Sequence, residues 1–503
     1  MGLVRRSLAF SAAERYASVV ISMLSTAVLA RLLTPQEFGV YAVLSALTAV
    51  ASASFQEFGG ANYLIQKTKL GEKDIRTAFT ITFCMSVAFA VALFESRNIA
   101  ARFFEQDGMR RGIAVLDLVF VLSPFSITLA SLLRRDMAFG TLARGNFGAN
   151  IVNASASVIL AAAGFSYMAP VWGVVLGNLA LAVILWASRP GFRVFRPCFA
   201  GSLEVFRFGA YSSAVVIINV FYQSFPQFIL GRVLGFNAVG LFGRSVSITQ
   251  LFDRLVLQVL NPVIMPAIFA QTRAGGDLKR IYLTSIELIA AVQWPFLLFL
   301  ALMADPIIAV WLGPTWASIV PLVRCLCLAS LSLFAACLTY PVLVAVGRVR
   351  DTLTSSLISL PPSLLIIVLA SFHGVQAVAA STLVTCPLQA AVSICFVAHR
   401  LSLRPSDILR ALSRSAVVSA CAAVGPLAAV ASAHLDAGAR PLGPYALLGA
   451  GVTAVGGWLV GIVLTGHPLM DQIRLIAGSL SGAWKHRVIG LRRGPVQPEG
   501  RSP

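Results

Sequence analysis

The chain reads as an all-α polytopic membrane protein of two six-helix lobes related by a parallel repeat, with two extra C-terminal helices. Three observations support this. The sequence is 58% hydrophobic and only 12% charged, with a mean hydropathy of +0.84, whereas ordinary globular domains carry about 25% charge. Apolar stretches of about 20 residues, enough to span a hydrocarbon core of roughly 30 Å, recur from end to end. The third observation is that "ARLLTPQEFGVY" (Ala30–Tyr41) returns in weaker form as "GRVLGFNAVGLF" (Gly231–Phe242), without a gap, at an offset of 201 residues. The strand alternation of an outer-membrane barrel is missing from the sequence.

Hydropathy and turn residues predict fourteen spans. They lie near 9–30, 40–65, 77–95, 113–133, 147–166, 169–188, 208–230, 240–268, 281–304, 317–346, 352–371, 375–398, 412–433 and 443–465. Leu8 to Ala30 carries no small-residue cleavage site, so the first span is expected to be retained.

Charge tests this layout independently. With Arg5 and Arg6 inside, the even-numbered loops and the two ends hold 28 Lys and Arg, and the opposite loops hold seven. That bias is the positive-inside rule. It places both termini in the cytoplasm and assigns the net charge of +19 to topology and lipid contact, not to nucleic acid. The tail 467–503 reads as a basic cytoplasmic extension.

Other motifs exclude classes. Seven of eight cysteines fall inside spans and only Cys198 lies in a loop, as expected for buried small hydrophobes, and no metal site is expected. The five histidines are scattered through loops. No phosphate-binding loop points to direct use of ATP. Gly173/Gly177 and Gly457/Gly461 have the spacing of close helix packing. Prolines inside spans, such as Pro124, Pro226 and Pro295, are expected to bend them.

Under the 201 offset the first span maps onto the seventh and the second onto the eighth. An even number of spans separates the copies, so both run in the same direction. The repeat therefore predicts an N-terminal lobe (1–188), a cytoplasmic linker (189–207), a C-terminal lobe (208–400) and a two-span appendix (401–466). Two lobes facing one another across a cleft are a usual frame for alternating-access transport.

Within that frame, "LARLLTPQEFGVYAVLSALTAVASASFQEFGGANYLIQ" (Leu29–Gln66), "LLRRDMAFGTLAR" (Leu132–Arg144) and "FSYMAPVWGVVLG" (Phe165–Gly177) resemble the Wzx-type exporters. These form the polysaccharide-transport branch of the MOP (multidrug/oligosaccharidyl-lipid/polysaccharide) flippase superfamily. The resemblance covers nearly the whole chain. It implies flipping of undecaprenyl-pyrophosphate-linked oligosaccharide across the bacterial inner membrane for capsule, exopolysaccharide or O-antigen. It implies no cofactor, possible coupling to H+ or Na+, and contact with membrane lipids and polysaccharide polymerase or assembly proteins.

Ionisable residues inside spans mark functional candidates. Gln250, Arg254, Gln258 and Asn261 recur at i, i+4, i+8 and i+11, which confines them to a face about 80° wide. That stripe is expected to face the cleft. The offset projects it onto Ala49, Ala53, Glu57 and Gly60. An arginine there suits a pyrophosphate, because its guanidinium binds phosphate oxygens bidentately and keeps its charge. Arg254 is therefore the leading cargo ligand, with Arg15 and Arg324 behind it, unless Asp253 and Glu14 neutralise their neighbours. Glu57 is a candidate coupling group. Arg244 and Asp117 read as lying near span ends, where a long side chain can snorkel.

Three other functions compete: a related exporter for peptidoglycan lipid precursor or a cationic drug, a membrane oligosaccharide polymerase, and a scaffold without transport. The drug reading favours acidic cavities, the polymerase needs a large reactive external loop, and the scaffold needs no polar stripe. Locally, Thr34 and Glu37 form an expected capping box with Pro35 at the first helical position, and Arg31 complements the dipole at the end of span 1. The repeated stretch thus reads as a helical hairpin.

Overall fold

The computed structural model describes residues 2–471 and 474, apart from 59–60, 68–69, 189–194, 436–442 and most of 259–276. Among the described residues the chain is helical and contains no strand, one of the two ways a chain can satisfy its backbone amides in hydrocarbon, here within each segment. Ten helices among the described residues are long and apolar enough to cross a membrane.

The first half comprises α1 (Gly2–Leu32), α2 (Pro35–Phe58), the short α3 (Ala61–Gln66), α4 (Glu72–Phe103), α5 (Gly108–Arg135), α6 (Phe139–Ala162) and α7 (Met168–Ser188). The second half begins with α8 (Ser202–Val233) and α9 (Phe236–Thr249). It continues through α10 (Leu278–Leu302), α11 (Ala304–Trp311), α12 (Val320–Ser330), α13 (Ala336–Ala345), α14 (Val349–Ser371) and α15 (Val375–Leu401). Finally α16 (Pro405–Leu435) and α17 (Pro444–Thr465) pack together, with α16 against α10.

The repeat is visible in the helix bounds. α1 and α8 end at Leu32 and Val233, and α2 and α9 begin at Pro35 and Phe236, in each case 201 residues apart. Their caps differ. Thr34 and Glu37 make the expected capping box: the Glu37 N–H donates to Thr34 Oγ1 (3.3 Å) and the Thr34 N–H to Glu37 Oε2 (2.7 Å). At the second copy Gly235, at φ +80°, takes a backbone conformation that a residue with a Cβ enters only at a cost.

The halves associate mainly through α2, which leaves its own half to pack on α8 and α9. A shared apolar cluster joins Val43 and Leu44 of α2 to Phe104 and Met109 beside them, and to Leu230, Phe236 and Val239 of the second half. Within a bilayer such packing is held by van der Waals contact and by small residues that let backbones approach. Gly173 and Gly177 do this between α7 and α6: a methyl group on either would strike Ser157 or Asn153. Gly457 and Gly461 do the same between α17 and α16, against Cys421 and Val418.

Two faces result. The hairpin face carries the 33–34, 104–107, 163–167 and 234–235 turns; the linker face carries the connections at 136–138 and 195–201. The linker is strapped to the start of α4. Arg76 donates to the carbonyls of Arg196 (3.2 Å) and Pro197 (3.3 Å), Thr77 Oγ1 donates to Ala200 O (2.8 Å), and the Cys198 N–H donates to Thr80 Oγ1 (2.9 Å). Phe195 packs among Phe79 and Phe125. The Thr77 hydroxyl, the Ala200 amide and nearby Arg76 and Lys73 hold the Cys198 thiol below its ordinary pKa.

Candidate functional site

A cavity of about 1000 Å³ lies between the halves, walled by α1, α2, α6 and α7 on one side and by α8, α9 and the turn after α9 on the other. Its lining is polar along specific helix faces. The clearest wall is on α6, where Asn146, Asn150, Asn153 and Ser157 succeed one another at helical spacing and all face the cavity. Asn178 of α7 and Gln223 and Gln227 of α8 extend this lining. On α1 the row is Arg15, Ser18, Ser22, Ser25 and Thr26.

Gln250, Arg254 and Gln258 line the opposite wall. Part of their segment, Asp253–Leu257, is a π-helical turn. In a regular α-helix a four-residue step drifts by about 40°, and a wider π turn reduces that drift and keeps residues four apart on one side. Such turns are frequent at functional sites. Asn261 lies outside the described residues, and so does the side chain of Glu57, whose backbone belongs to α2.

The charge balance is cationic: Arg15, Arg244 and Arg254 face the cavity with Glu14 as the lone carboxylate among its described lining residues. Glu14 accepts from Ser18 Oγ (3.1 Å), which accepts in turn from Asn150 Nδ2 (3.0 Å). Arg15 donates across the cleft to Gln258 Oε1, the side chain aligned with Glu57 by the repeat. Among the described residues, no carboxylate lies within ion-pair distance of Arg15 or Arg254. Adjacent residues on a helix diverge by about 100°, so Asp253 and Arg254 leave the turn in different directions, and Asp253 is not part of the lining.

Three placements differ from expectation. Arg324 does not line this cavity; it is exposed on α12, whose buried face is Leu322, Val323, Leu326 and Cys327. Arg244 does not snorkel to a span end. α9 starts at Phe236, which puts Arg244 about 12 Å into the helix at 1.5 Å per residue. There it lines the cavity, its guanidinium 3.9 Å from the centroid of the Phe38 ring. Asp117 is also buried, and neither carboxylate oxygen has a hydrogen-bond partner among the described residues.

The asparagine row on α6 escaped the sequence reading, although its steps of four, three and four residues show the same helical periodicity that exposed the Arg254 stripe. The charged residue of α6, Arg144, lies before the predicted span of 147–166, so no in-span charge drew attention to that row.

Residues 28–321 match the family described as polysaccharide biosynthesis protein. The chain is 22% identical over 339 residues to lipopolysaccharide biosynthesis protein WzxC of Escherichia coli (strain K12), covering 66% of this chain and 68% of the relative. It is 23% identical over 296 residues to teichuronic acid biosynthesis protein TuaB of Bacillus subtilis (strain 168), covering 58% and 60%. Its fold is similar to that of the lipid II flippase MurJ in an inward closed conformation: TM-score 0.73 at 10% identity, over 93% of this chain and all of that one. With the family match extending over more than half of its length, the chain belongs to the polysaccharide biosynthesis protein family.

Proposed function

We propose that this protein is a secondary transporter that flips undecaprenyl-pyrophosphate-linked oligosaccharide across the bacterial inner membrane by alternating access, supplying capsule, exopolysaccharide or O-antigen. The observation that carries this reading is the cavity. Its guanidinium groups suit a pyrophosphate, and its carboxamides offer both donors and acceptors to the hydroxyls of a glycan. The names of the relatives point to cell-surface polysaccharides, and that of the structural neighbour to a lipid-linked saccharide. On this reading residues 1–188 and 208–400 are the moving lobes, 401–466 is an appendix, and fourteen spans cross the membrane with both termini in the cytoplasm. The linker face is then cytoplasmic and the hairpin face external.

Arg254 and Arg15 hold the pyrophosphate near the linker-face end, and Gln250 and Gln258 contact the first sugars. Energy comes from a proton or sodium gradient, with Glu57 as the coupling carboxylate. Polymerase and assembly proteins receive the flipped unit; the transporter itself performs no covalent chemistry.

Deleting the gene and analysing lipid-linked glycans on each leaflet tests this. The expected result is accumulation on the inner face, relieved by the native gene but not by Arg254→Ala. No accumulation would overturn the flippase reading, and full export by the variant would overturn the site assignment.

A further inference from the structure

The hairpin face is sealed by a contact that obeys the repeat. Gly39 of α2 lies against Phe236, the first residue of α9, and Gly240 of α9 lies against Pro35, the first residue of α2. A methyl group built on Gly39 would run into the Phe236 carbonyl oxygen, and one built on Gly240 into the Pro35 carbonyl oxygen. Gly39 and Gly240 are 201 residues apart, as are Pro35 and Phe236, so each half presents the same glycine to the same atom of its partner. The obstacle in both cases is backbone, which cannot rotate aside as a side chain can.

A second set of bonds ties the halves together beside this contact. The Trp311 indole donates to Met23 O (3.1 Å), the Trp316 indole donates to Ala30 O (2.8 Å), and Arg31 donates to Val310 O (3.1 Å). The buried Trp316 ring meets Phe38 edge-on at 5.5 Å, and Phe38 carries Arg244 of the cavity on its face. Toward the linker face, by contrast, the cavity is bridged by the Arg15–Gln258 side-chain bond.

We propose that the Gly39–Phe236 and Gly240–Pro35 contacts are the outer gate of the transporter, closed here and parted when the cavity opens outward. This rests on the alternating-access reading. Glycine suits a gate for two physical reasons. Helices meeting at glycines approach to backbone contact and exclude water and ions, yet no interlocked side chains at those points must be withdrawn on opening. Because the contact is reciprocal, both halves must be in register for either glycine to seat, so the gate closes as a unit. Val43, Phe236 and Val239 form the apolar collar around it, and the two indoles latch α1 to the segment after α10.

Accessibility of a cavity thiol from outside tests the gate without requiring cargo. None of the eight native cysteines is among the cavity's lining residues, so the native protein sets the background and Ser45→Cys, on the α2 wall, is the reporter. A membrane-impermeant charged maleimide is added to intact spheroplasts. Adding Gly39→Ala or Gly240→Ala is expected to raise labelling of Cys at 45 at least tenfold, with the two variants within about twofold of each other. Gly243→Ala, which places the same methyl group 4.0 Å from its nearest neighbour, Ala42 Cβ, is the control and should leave labelling unchanged.

Should the alanine variants fail to insert, Trp316→Phe keeps a smaller aromatic ring while losing the indole N–H that bonds Ala30, and is expected to raise labelling two- to fivefold. Unchanged labelling in Gly39→Ala and Gly240→Ala, or, if those fail to insert, in Trp316→Phe, overturns the proposal. So does equal labelling by Gly243→Ala. Altered labelling together with normal glycan distribution in the deletion strain would instead count against the flippase reading and leave the gate standing.

Discussion

The α1–α2 and α8–α9 hairpins descend from one repeated stretch, yet they have taken different work. The first is bound on several sides. Thr34 and Glu37 cap α2, Ser166 donates to Glu37, Trp311 and Trp316 hold α1, and Arg31 reaches the 304–311 helix. The second has lost the threonine, proline and glutamate, turns on Gly235, and bonds outward through Arg232 to Glu105 (2.8 Å). Their cavity faces are unequal in the opposite sense. α2 contributes Tyr41 and Ser45 among Ala42, Ala46 and Ala49, with no charged residue among its described lining residues, whereas α9 and its π turn contribute Arg244, Gln250 and Arg254. A duplicated element can keep its backbone frame while one copy becomes the more firmly braced scaffold and the other carries more of the cationic lining.

Five substitutions would break or sharpen that contrast, beginning with the largest. Trp316→Ala removes a fully buried ring and its bond to Ala30, and should destabilise the protein by about 3–5 kcal/mol. Thermal unfolding in detergent would show this, and a change below about 1 kcal/mol would mean that the first hairpin is not the scaffold. Arg254→Ala should act on transport instead. Losing a charge-assisted bond to phosphate costs about 1.5–3 kcal/mol, so export should fall by tenfold or more with little change in melting temperature, and lysine should restore part of it. A comparable loss of stability would recast Arg254 as structural.

Thr34→Ala should lower stability by about 1 kcal/mol through loss of the cap, while Gly235→Ala at the matching turn should cost about 1–3 kcal/mol, because a backbone at φ +80° and ψ 174° is essentially confined to glycine. Near-equal penalties would mean that the two caps differ in chemistry but not in importance. Arg232→Ala should matter least, because both members of its ion pair are largely exposed and such pairs contribute about 0.2–1 kcal/mol. An effect above about 2 kcal/mol would show that the second hairpin is braced as firmly as the first.

Much of the frame can be read from hydropathy because crossing a bilayer depends on each residue's own transfer energy. The repeat could be read because Gly39 and Gly240 must stay small where backbones touch. The stripe from Gln250 to Gln258 was legible through its periodicity, and those residues do line the cavity. Arg324 was singled out only as an ionisable residue inside a span, which does not show what its helix face meets, and it stands exposed on α12. Depth was misread at Arg244 because the start of α9 lies a turn before the apolar run suggests. Contacts such as Trp316 with Ala30 join positions far apart in sequence, and no local pattern announces them. The asparagines of α6 lower hydropathy without carrying charge, so they passed as an ordinary small-residue helix.

The strap from Arg196 to Ala200 along α4 has a mechanical consequence. It ends immediately before α8 begins at Ser202, so the second half is fastened to the first at its opening residue, with almost no slack. A body pinned at one end can swing about that point but cannot slide along its neighbour. Any large relative motion is thereby reduced to rotation, with the greatest sweep at the end of α8 farthest from the pin, where Gly231 and Gly235 meet the turn.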